Sequence, residues 1–176
     1  GNDTVWGEIG TDMINGGAGN DVLYGDRSNS APNASQQFVV EVFRPLAAMY
    51  HGHDVVDGGA GADTIIGGAG NDLLLGGEGT DRIYADIGRD DTSAVNVVTI
   101  SAWWGADDID AGSGDDYVEG EGGNDRIHGG DGNDRLAGDW VTSWSNTANA
   151  CMGSDMLWGD AGDDDMTGGG RDDVLY

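Results

Sequence analysis

The chain lacks several features that would point to common classes of protein. It contains no lysine, so its seven cationic side chains are all arginines, set against 33 aspartates and glutamates and a formal net charge of −26. This acidity argues against binding to nucleic acid or to anionic membrane surfaces, because both carry the same sign of charge. Cys151 is the only cysteine, which excludes an internal disulfide, and we interpret it as a small buried residue.

Long apolar runs and enzyme motifs are missing too. No apolar segment of the sequence is long enough to cross a bilayer. The sequence holds neither the HExxH motif of zinc proteases nor the GxSxG motif of lipases, and it suggests no Ser/His/Asp set, so we predict no enzyme. Residue 1 is not Met and no signal peptide is visible, so we interpret residues 1–176 as one segment of a longer chain.

Glycine is abundant, with 34 residues, and it recurs in a phrase that is clearest between Gly58 and Gly77. There Gly-Gly-Ala-Gly-Ala-Asp precedes Thr-Ile-Ile, and Gly-Gly-Ala-Gly-Asn-Asp precedes Leu-Leu-Leu, a period of nine residues. Six residues have turn chemistry, because glycine permits positive φ, and three have strand chemistry with the middle side chain inward. The aspartate that ends the turn sets a carboxylate beside backbone carbonyls, which suits calcium. A unit this small must stack on copies of itself.

The phrase runs through most of the chain and predicts one inward position in each unit. Every residue at this position is apolar, whereas its neighbours, Glu119 among them, are mixed in polarity and predicted to face outward. The inward residues are Val5, Ile14, Leu23, Val56, Ile65, Leu74, Ile83, Ile109, Val118, Ile127, Leu136, Leu157, Met166 and Leu175.

This repeat resembles the nonapeptide GGxGxDxUx of the RTX (repeats-in-toxin) family, in which U is a large aliphatic residue. The resemblance covers most of the chain and implies an all-β fold, a right-handed parallel β-roll with two nonapeptides in each coil. Units of odd rank would then share one sheet and units of even rank the other. It also implies bound Ca²⁺, and about a dozen ions would roughly cancel the formal charge.

In that family a calcium ion lies between two turns stacked on the same side, which implies a metal-binding role for the aspartates that end turns not broken by an insertion. These are Asp3, Asp12, Asp21, Asp63, Asp72, Asp81, Asp116, Asp125, Asp134, Asp164 and Asp173. The turns of Asp54, Asp107 and Asp155 follow insertions and are expected to have lost their first half, which puts their sites in doubt. Substitution of Asp107 is therefore expected to cost less than substitution of Asp81.

Three insertions interrupt the repeats, at about 28–51, 88–104 and 141–152. They are four units apart, which returns the chain to the same side of the roll, so all three are predicted on one flank. We call this the interrupted flank and the opposite side the uninterrupted flank. Each insertion carries β-prone, branched and aromatic residues that are predicted to contact a protein partner or a neighbouring copy. The aromatic residues concerned are Phe38, Phe43, Trp103, Trp104 and Trp144.

A second candidate contact surface lies on the sheet of odd units. Trp6, Tyr24, Ile66 and Tyr84 are predicted to be neighbours in register, and we call them the apolar row. Four such side chains in a line suggest an interface. By contrast, His51 and His53 are interpreted as ordinary loop residues rather than as ligands of a transition metal.

These observations favour a calcium-dependent structural and interaction segment of a secreted or cell-surface bacterial protein, such as an adhesin, surface coat or extracellular scaffold. The family resemblance implies type I secretion and folding in extracellular calcium. An alternative is the accessory tail of a secreted protease, lipase or alginate epimerase, which the repeats alone do not exclude. Ice binding ranks below both, because the outward rows are irregular.

Overall fold

The computed structural model describes residues 1–8, 10–26, 52–68, 70–86, 105–139 and 152–176. Most of each insertion lies outside these ranges. So do the following residues singled out in the sequence: Phe38, Phe43, His51, Trp103, Trp104, Trp144 and Cys151.

In the described ranges all regular secondary structure is β-strand, as the nine-residue period predicts. The strands are β1 (Thr4–Glu8), β2 (Met13–Ala18), β3 (Val22–Asp26), β4 (Val55–Ala60), β5 (Thr64–Ile66), β6 (Leu73–Glu78), β7 (Arg82–Tyr84), β8 (Asp108–Ser113), β9 (Tyr117–Glu119), β10 (Arg126–Asp131), β11 (Arg135–Ala137), β12 (Met156–Ala161), β13 (Asp165–Thr167) and β14 (Val174–Leu175). No helix that could cross a membrane is found in these ranges.

The strands form two parallel sheets of seven, one from the odd strands and one from the even strands. Successive strands therefore alternate between the sheets, and each pair of nonapeptides adds one coil. Where the chain is uninterrupted, partners in one sheet are one coil apart, as in Val55 opposite Leu73 and Thr64 opposite Arg82. This confirms the predicted parallel β-roll and its division of odd and even units.

The core is the row of middle residues between the two sheets. Leu74 and Ile127 are fully buried, as is nearly every other member of the predicted inward row from Ile14 to Leu157. Val5 and Met166 pack against this core and are partly buried. The prediction was wrong for Leu175, which is 43% exposed because β14 has a neighbour in its sheet on one side only.

Glycine is required in the turns for two reasons, both visible at Gly61. Its φ of 147° lies in the region that side chains avoid. A Cβ at Gly61 would also stand 1.6 Å from the carbonyl oxygen of Gly19 in the adjacent coil. The close stacking of turns thus depends on the absence of a side chain, and this stacking sets the distance between the aspartates on each flank.

The outer faces carry side chains in register. Trp6 stacks on Tyr24 with ring centroids 6.0 Å apart, and strand pairing continues the apolar row through Ile66 to Tyr84. Trp6 is 43% exposed, and the other three are half-buried. Glu119 follows in register, but it is buried rather than outward in solvent, and the hydroxyl of Tyr117 donates to its carboxylate.

The sequence reasoning missed a second aromatic stack, on the outer face of the even sheet. The rings of His128 and Trp158 lie 4.4 Å apart and those of Trp158 and Tyr176 lie 5.1 Å apart, all nearly parallel. The third insertion separates His128 from Trp158 by 30 positions, so only a count of repeat units rather than of residues pairs them.

Candidate metal centre

Two ladders of aspartates run along the roll, one on each flank. In each ladder the backbone N–H of an aspartate donates to Oδ1 of the aspartate one coil further on, as from Asp63 to Asp81 at 2.8 Å. The uninterrupted flank carries Asp3, Asp21, Asp63, Asp81, Asp116, Asp134 and Asp164. The interrupted flank carries Asp12, Asp54, Asp72, Asp107, Asp125, Asp155 and Asp173. The structure therefore brings together all the predicted metal-site aspartates, with the three that follow insertions on a single flank.

The second carboxylate oxygen has no comparable donor. Among the described residues, no hydrogen-bond donor reaches the buried Oδ2 atoms of Asp12, Asp21, Asp63, Asp72, Asp81, Asp107, Asp116, Asp125, Asp134 and Asp155. An unsatisfied buried acceptor costs about 1–3 kcal/mol, and a charged one costs more. Rows of such atoms therefore require a compensating cation or proton.

Most of these Oδ2 atoms face a small space lined by a second oxygen. A Cβ placed at Gly16 would stand 2.7 Å from Oδ2 of Asp21 and 2.7 Å from the carbonyl oxygen of Gly58 in the next coil. A Cβ at Gly58 would meet Asp63 Oδ2 and the Gly76 carbonyl at 2.7 and 2.6 Å. Carboxylate and carbonyl oxygens that converge beside a glycine are the ligands calcium prefers.

The donor set does not suit a transition metal. The described part of the chain has no group of three or more His, Cys, Asp or Glu side chains arranged to hold an ion. The ring Nδ1 of His53 accepts the N–H of Asn71 at 2.8 Å, which occupies that atom within the turn. Asp72 and Asp125 can hold calcium only together with backbone carbonyls, which agrees with the glycine-lined space beside each Oδ2.

The electrostatics of the ladders also call for a cation. Burial raises the pKa of Asp125 to about 9 and that of Asp107 to about 8, and the negative charge of neighbouring carboxylates adds to both. The pKa rises to about 7 for Asp116 and Asp155 and to about 6 for Asp72, again chiefly through burial. In each case the N–H that donates to Oδ1 opposes only part of the rise. The ionised form is therefore disfavoured unless a positive ion binds beside it.

A second ladder, which the sequence reasoning missed, runs in the opposite direction. The side chain just before the turn-ending aspartate accepts a hydrogen bond from the backbone N–H of the residue at the same position in the next coil. Asn20 Oδ1 accepts in this way from Ala62 at 3.2 Å. On the interrupted flank Asn71 does the same for Ala106, and Asn124 for Ser154. The repeated Gly-Asn-Asp phrase was the available signal, since asparagine can both cap a neighbour and follow a glycine in a turn.

The structure corrects one expectation about the interrupted turns. We number the turn Gly-Gly-x-Gly-x-Asp from one to six. The first position of the first and third interrupted turns is kept, but it lies before the insertion: a Cβ at Gly25 would stand 2.5 Å from Asp54 Oδ2, and one at Gly138 would stand 2.3 Å from Asp155 Oδ2. These are position-one contacts, as at Gly16. The insertion thus enters between positions two and four, and the third position lies outside the described residues.

The end positions differ from the others. Asp3 is exposed, and Asp164 and Asp173 are half-buried, so their carboxylates are less shielded from water than those of the inner coils. A calcium ion would therefore be less well enclosed at these three aspartates than at those of the inner coils.

Comparison with known proteins agrees with the geometry. The family model described as the RTX calcium-binding nonapeptide repeat (4 copies) matches residues 1–30, 57–91, 98–118, 110–140 and 153–176, which together are more than half of the chain. No curated protein and no solved structure gives a significant match. The matched ranges contain all the aspartates of the two ladders except Asp54. The chain therefore belongs to the family of RTX calcium-binding nonapeptide repeats.

Proposed function

We propose that this calcium-binding β-roll is a structural and interaction segment of a secreted or cell-surface bacterial protein, and that it folds when calcium binds. The observation that carries the proposal is the pair of ladders with buried, unsatisfied Oδ2 atoms such as those of Asp81 and Asp116. Calcium would be held by these oxygens and by carbonyls such as that of Gly58. When bound it would supply the positive charge that the buried carboxylates require.

A role outside the cell fits the chemistry of the sites. Extracellular modules bind calcium in the range of about 10⁻⁴–10⁻³ M, where the ion is abundant. A chain with a net charge of −26 repels its own compact state when calcium is scarce, so it would stay unfolded during export. This supports the type I secretion that the family resemblance implies.

The experiment for this proposal is calcium-dependent folding of the whole chain. In EDTA the far-ultraviolet circular dichroism should be that of a disordered chain, and calcium should restore the β-type spectrum. Magnesium should fail to do so, because it requires stricter octahedral geometry and loses its water reluctantly. Sodium at matched ionic strength controls for simple screening of the charge.

The apolar row favours an interaction role over the role of a passive enzyme tail. Trp6 is 43% exposed and stacks on Tyr24, and the row continues in register along the odd sheet. A segment that serves only export and folding gains nothing from exposed aromatic side chains. The sequence of the parent chain on either side would decide between the two roles, since a catalytic domain would show its motif there.

The contact can be tested with a second copy of the chain as partner. Sedimentation equilibrium in calcium should show association that weakens in Trp6→Ser, where the largest exposed ring of the row is lost. Tyr176→Ser is the matched control, because Tyr176 is an exposed aromatic residue on the other sheet. A wild-type chain that stays monomeric at high concentration would rule out a neighbouring copy as the occupant.

A further inference from the structure

The three insertions enter the roll at equivalent points with the same flanking residues. Each follows a glycine or alanine and an aspartate, at Gly25-Asp26, Ala85-Asp86 and Gly138-Asp139. Each is followed by Gly-x-Asp, which begins at Gly52, Gly105 and Gly153. The interrupted turns therefore keep glycine at the fourth position and aspartate at the sixth, have glycine or alanine at the first as whole turns do, and place an aspartate at the second.

The fourth position packs in the interrupted turns as it does in whole ones. A Cβ at Gly105 would stand 1.5 Å from the carbonyl oxygen of Gly70, and one at Gly153 would stand 1.2 Å from that of Gly123. The corresponding distance in a whole turn is 1.6 Å, from Gly79 to the Gly61 carbonyl. The two halves are thus stacked on the adjacent coils as closely as a continuous turn.

The aspartate at the second position joins these halves. Oδ1 of Asp86 accepts the N–H of Gly105 across the second insertion at 3.2 Å, and Oδ2 accepts the N–H of Gly122 in the next coil at 3.3 Å. Asp139 repeats the arrangement across the third insertion, with Gly153 at 3.0 Å and Gly170 at 2.9 Å. Both aspartates are 1% exposed.

The turn-ending aspartates beyond these insertions are also set for a cation. Asp107 and Asp155 are 2% and 1% exposed, and no donor in the described residues reaches their Oδ2 atoms. Oδ2 of Asp155 faces the space beside Gly138. A Cβ at Gly138 would stand 2.5 Å from the carbonyl oxygen of Gly168. The carboxylate, the glycine and the carbonyl are those of a whole turn.

We propose that the interrupted turns are calcium sites, each assembled from residues on both sides of an insertion and held together by the aspartate at the second position. Calcium at Asp107 or Asp155 then fastens the two ends of an insertion to the roll. Asp86 and Asp139 act as positioning residues for these sites, and Asp26 occupies the equivalent place in the sequence of the first interrupted turn. The inference rests on the proposed calcium-binding function of the ladders.

The first test counts bound calcium by equilibrium dialysis in Asp107→Asn and in Asp81→Asn, its match on the uninterrupted flank. Equal losses of ions are expected from the two variants. If Asp81→Asn loses ions and Asp107→Asn loses none, the inference is overturned while the proposed function stands. If neither variant loses any, calcium does not bind at these turns and both proposals fall.

The second test remains decisive if Asp107→Asn does not fold. Asp86→Ala removes the joining carboxylate but no turn-ending aspartate, and it should speed amide hydrogen exchange at Gly105 and Gly122 by about tenfold or more in calcium. It should also weaken one calcium site by about tenfold, as loss of a residue that orients a ligand does. Asp131→Ala is the control, because Asp131 is an exposed aspartate at the third position of a whole turn, where other turns carry alanine. Unchanged exchange at Gly105 would refute the role of Asp86.

Discussion

The two flanks of the roll differ in chain continuity but not in the construction of their turns. On the uninterrupted flank six consecutive residues build each turn, whereas on the interrupted flank every second turn takes its two halves from either side of an insertion. Both flanks show the same Oδ1 ladder and the same unsatisfied Oδ2, as at Asp81 and Asp107. The comparison shows that the stacked coils, rather than the continuity of the chain, hold a turn in shape.

The flanks do differ in electrostatics. The interrupted flank carries extra buried carboxylates, Asp86 and Asp139, beside its ladder. Burial raises the pKa to about 9 at Asp125 and about 8 at Asp107, against about 7 at Asp116 on the other flank, and the negative charges of Asp107 and Asp139 add to the rise at Asp125. The interrupted flank should therefore depend more strongly on a bound cation.

The largest effect should come from a side chain where two coils touch. Gly79→Ala on the uninterrupted flank and Gly105→Ala on the interrupted flank would each place a Cβ about as close to a carbonyl, at 1.6 and 1.5 Å. Both should lower the free energy of unfolding in calcium by about 3 kcal/mol or more, measured by urea titration. Gly1→Ala is the control, because nothing lies within 4 Å of its Cβ position. A tolerated Gly105→Ala would show that the interrupted turns are more loosely stacked.

A pH titration in EDTA should separate the flanks. The raised pKa values mean that the folded chain binds more protons than the unfolded chain, so its stability without calcium should increase as the pH falls from about 9 towards 4. The gain in stability should begin when Asp125 and Asp107 are protonated, before Asp116 takes up its proton near pH 7. Because the chain in EDTA is expected to be disordered at high pH, circular dichroism recorded as the pH is lowered would detect the gain as a return of the β-type spectrum. Stability that increases with pH in EDTA would contradict the assignment of buried, unsatisfied carboxylates.

The smallest effect should come from the asparagine ladder. Asn20→Ala on the uninterrupted flank and Asn71→Ala on the interrupted flank each remove one exposed acceptor for a backbone N–H. We expect a loss of about 0.5–1 kcal/mol in the free energy of unfolding for either variant. A much greater loss for Asn71→Ala would mean that the interrupted turns rely on this outer ladder more than whole turns do.

The sequence was sufficient for the parts of the fold that repeat at a fixed spacing. The inward row from Ile14 to Leu157, the two sheets and the single flank of interrupted turns all follow from counting nonapeptides, and Leu74 and Ile127 lie in the core as predicted. The apolar row from Trp6 to Tyr84 was predicted in register for the same reason.

What the sequence reasoning missed depends on contacts that break this spacing. The halves of an interrupted turn are 19 positions apart at Asp86 and Gly105, so a search for the contiguous motif does not join them. The shared flanking residues were an unused signal. Burial of Glu119 was not predictable from period alone, because its position is outward in every unit, and its contact with Tyr117 depends on side-chain placement.

The central claim is that calcium compensates the buried carboxylates of both ladders. The most direct measurement is a calcium titration of the EDTA-treated chain at pH 8, followed by circular dichroism and by amide resonances of Gly79 and Gly105, one from each flank. We predict a disordered chain without calcium and a cooperative return of both resonances to their folded positions as calcium is added. A folded β-roll that persists in EDTA at this pH, with both glycines in their folded environments, would contradict the account.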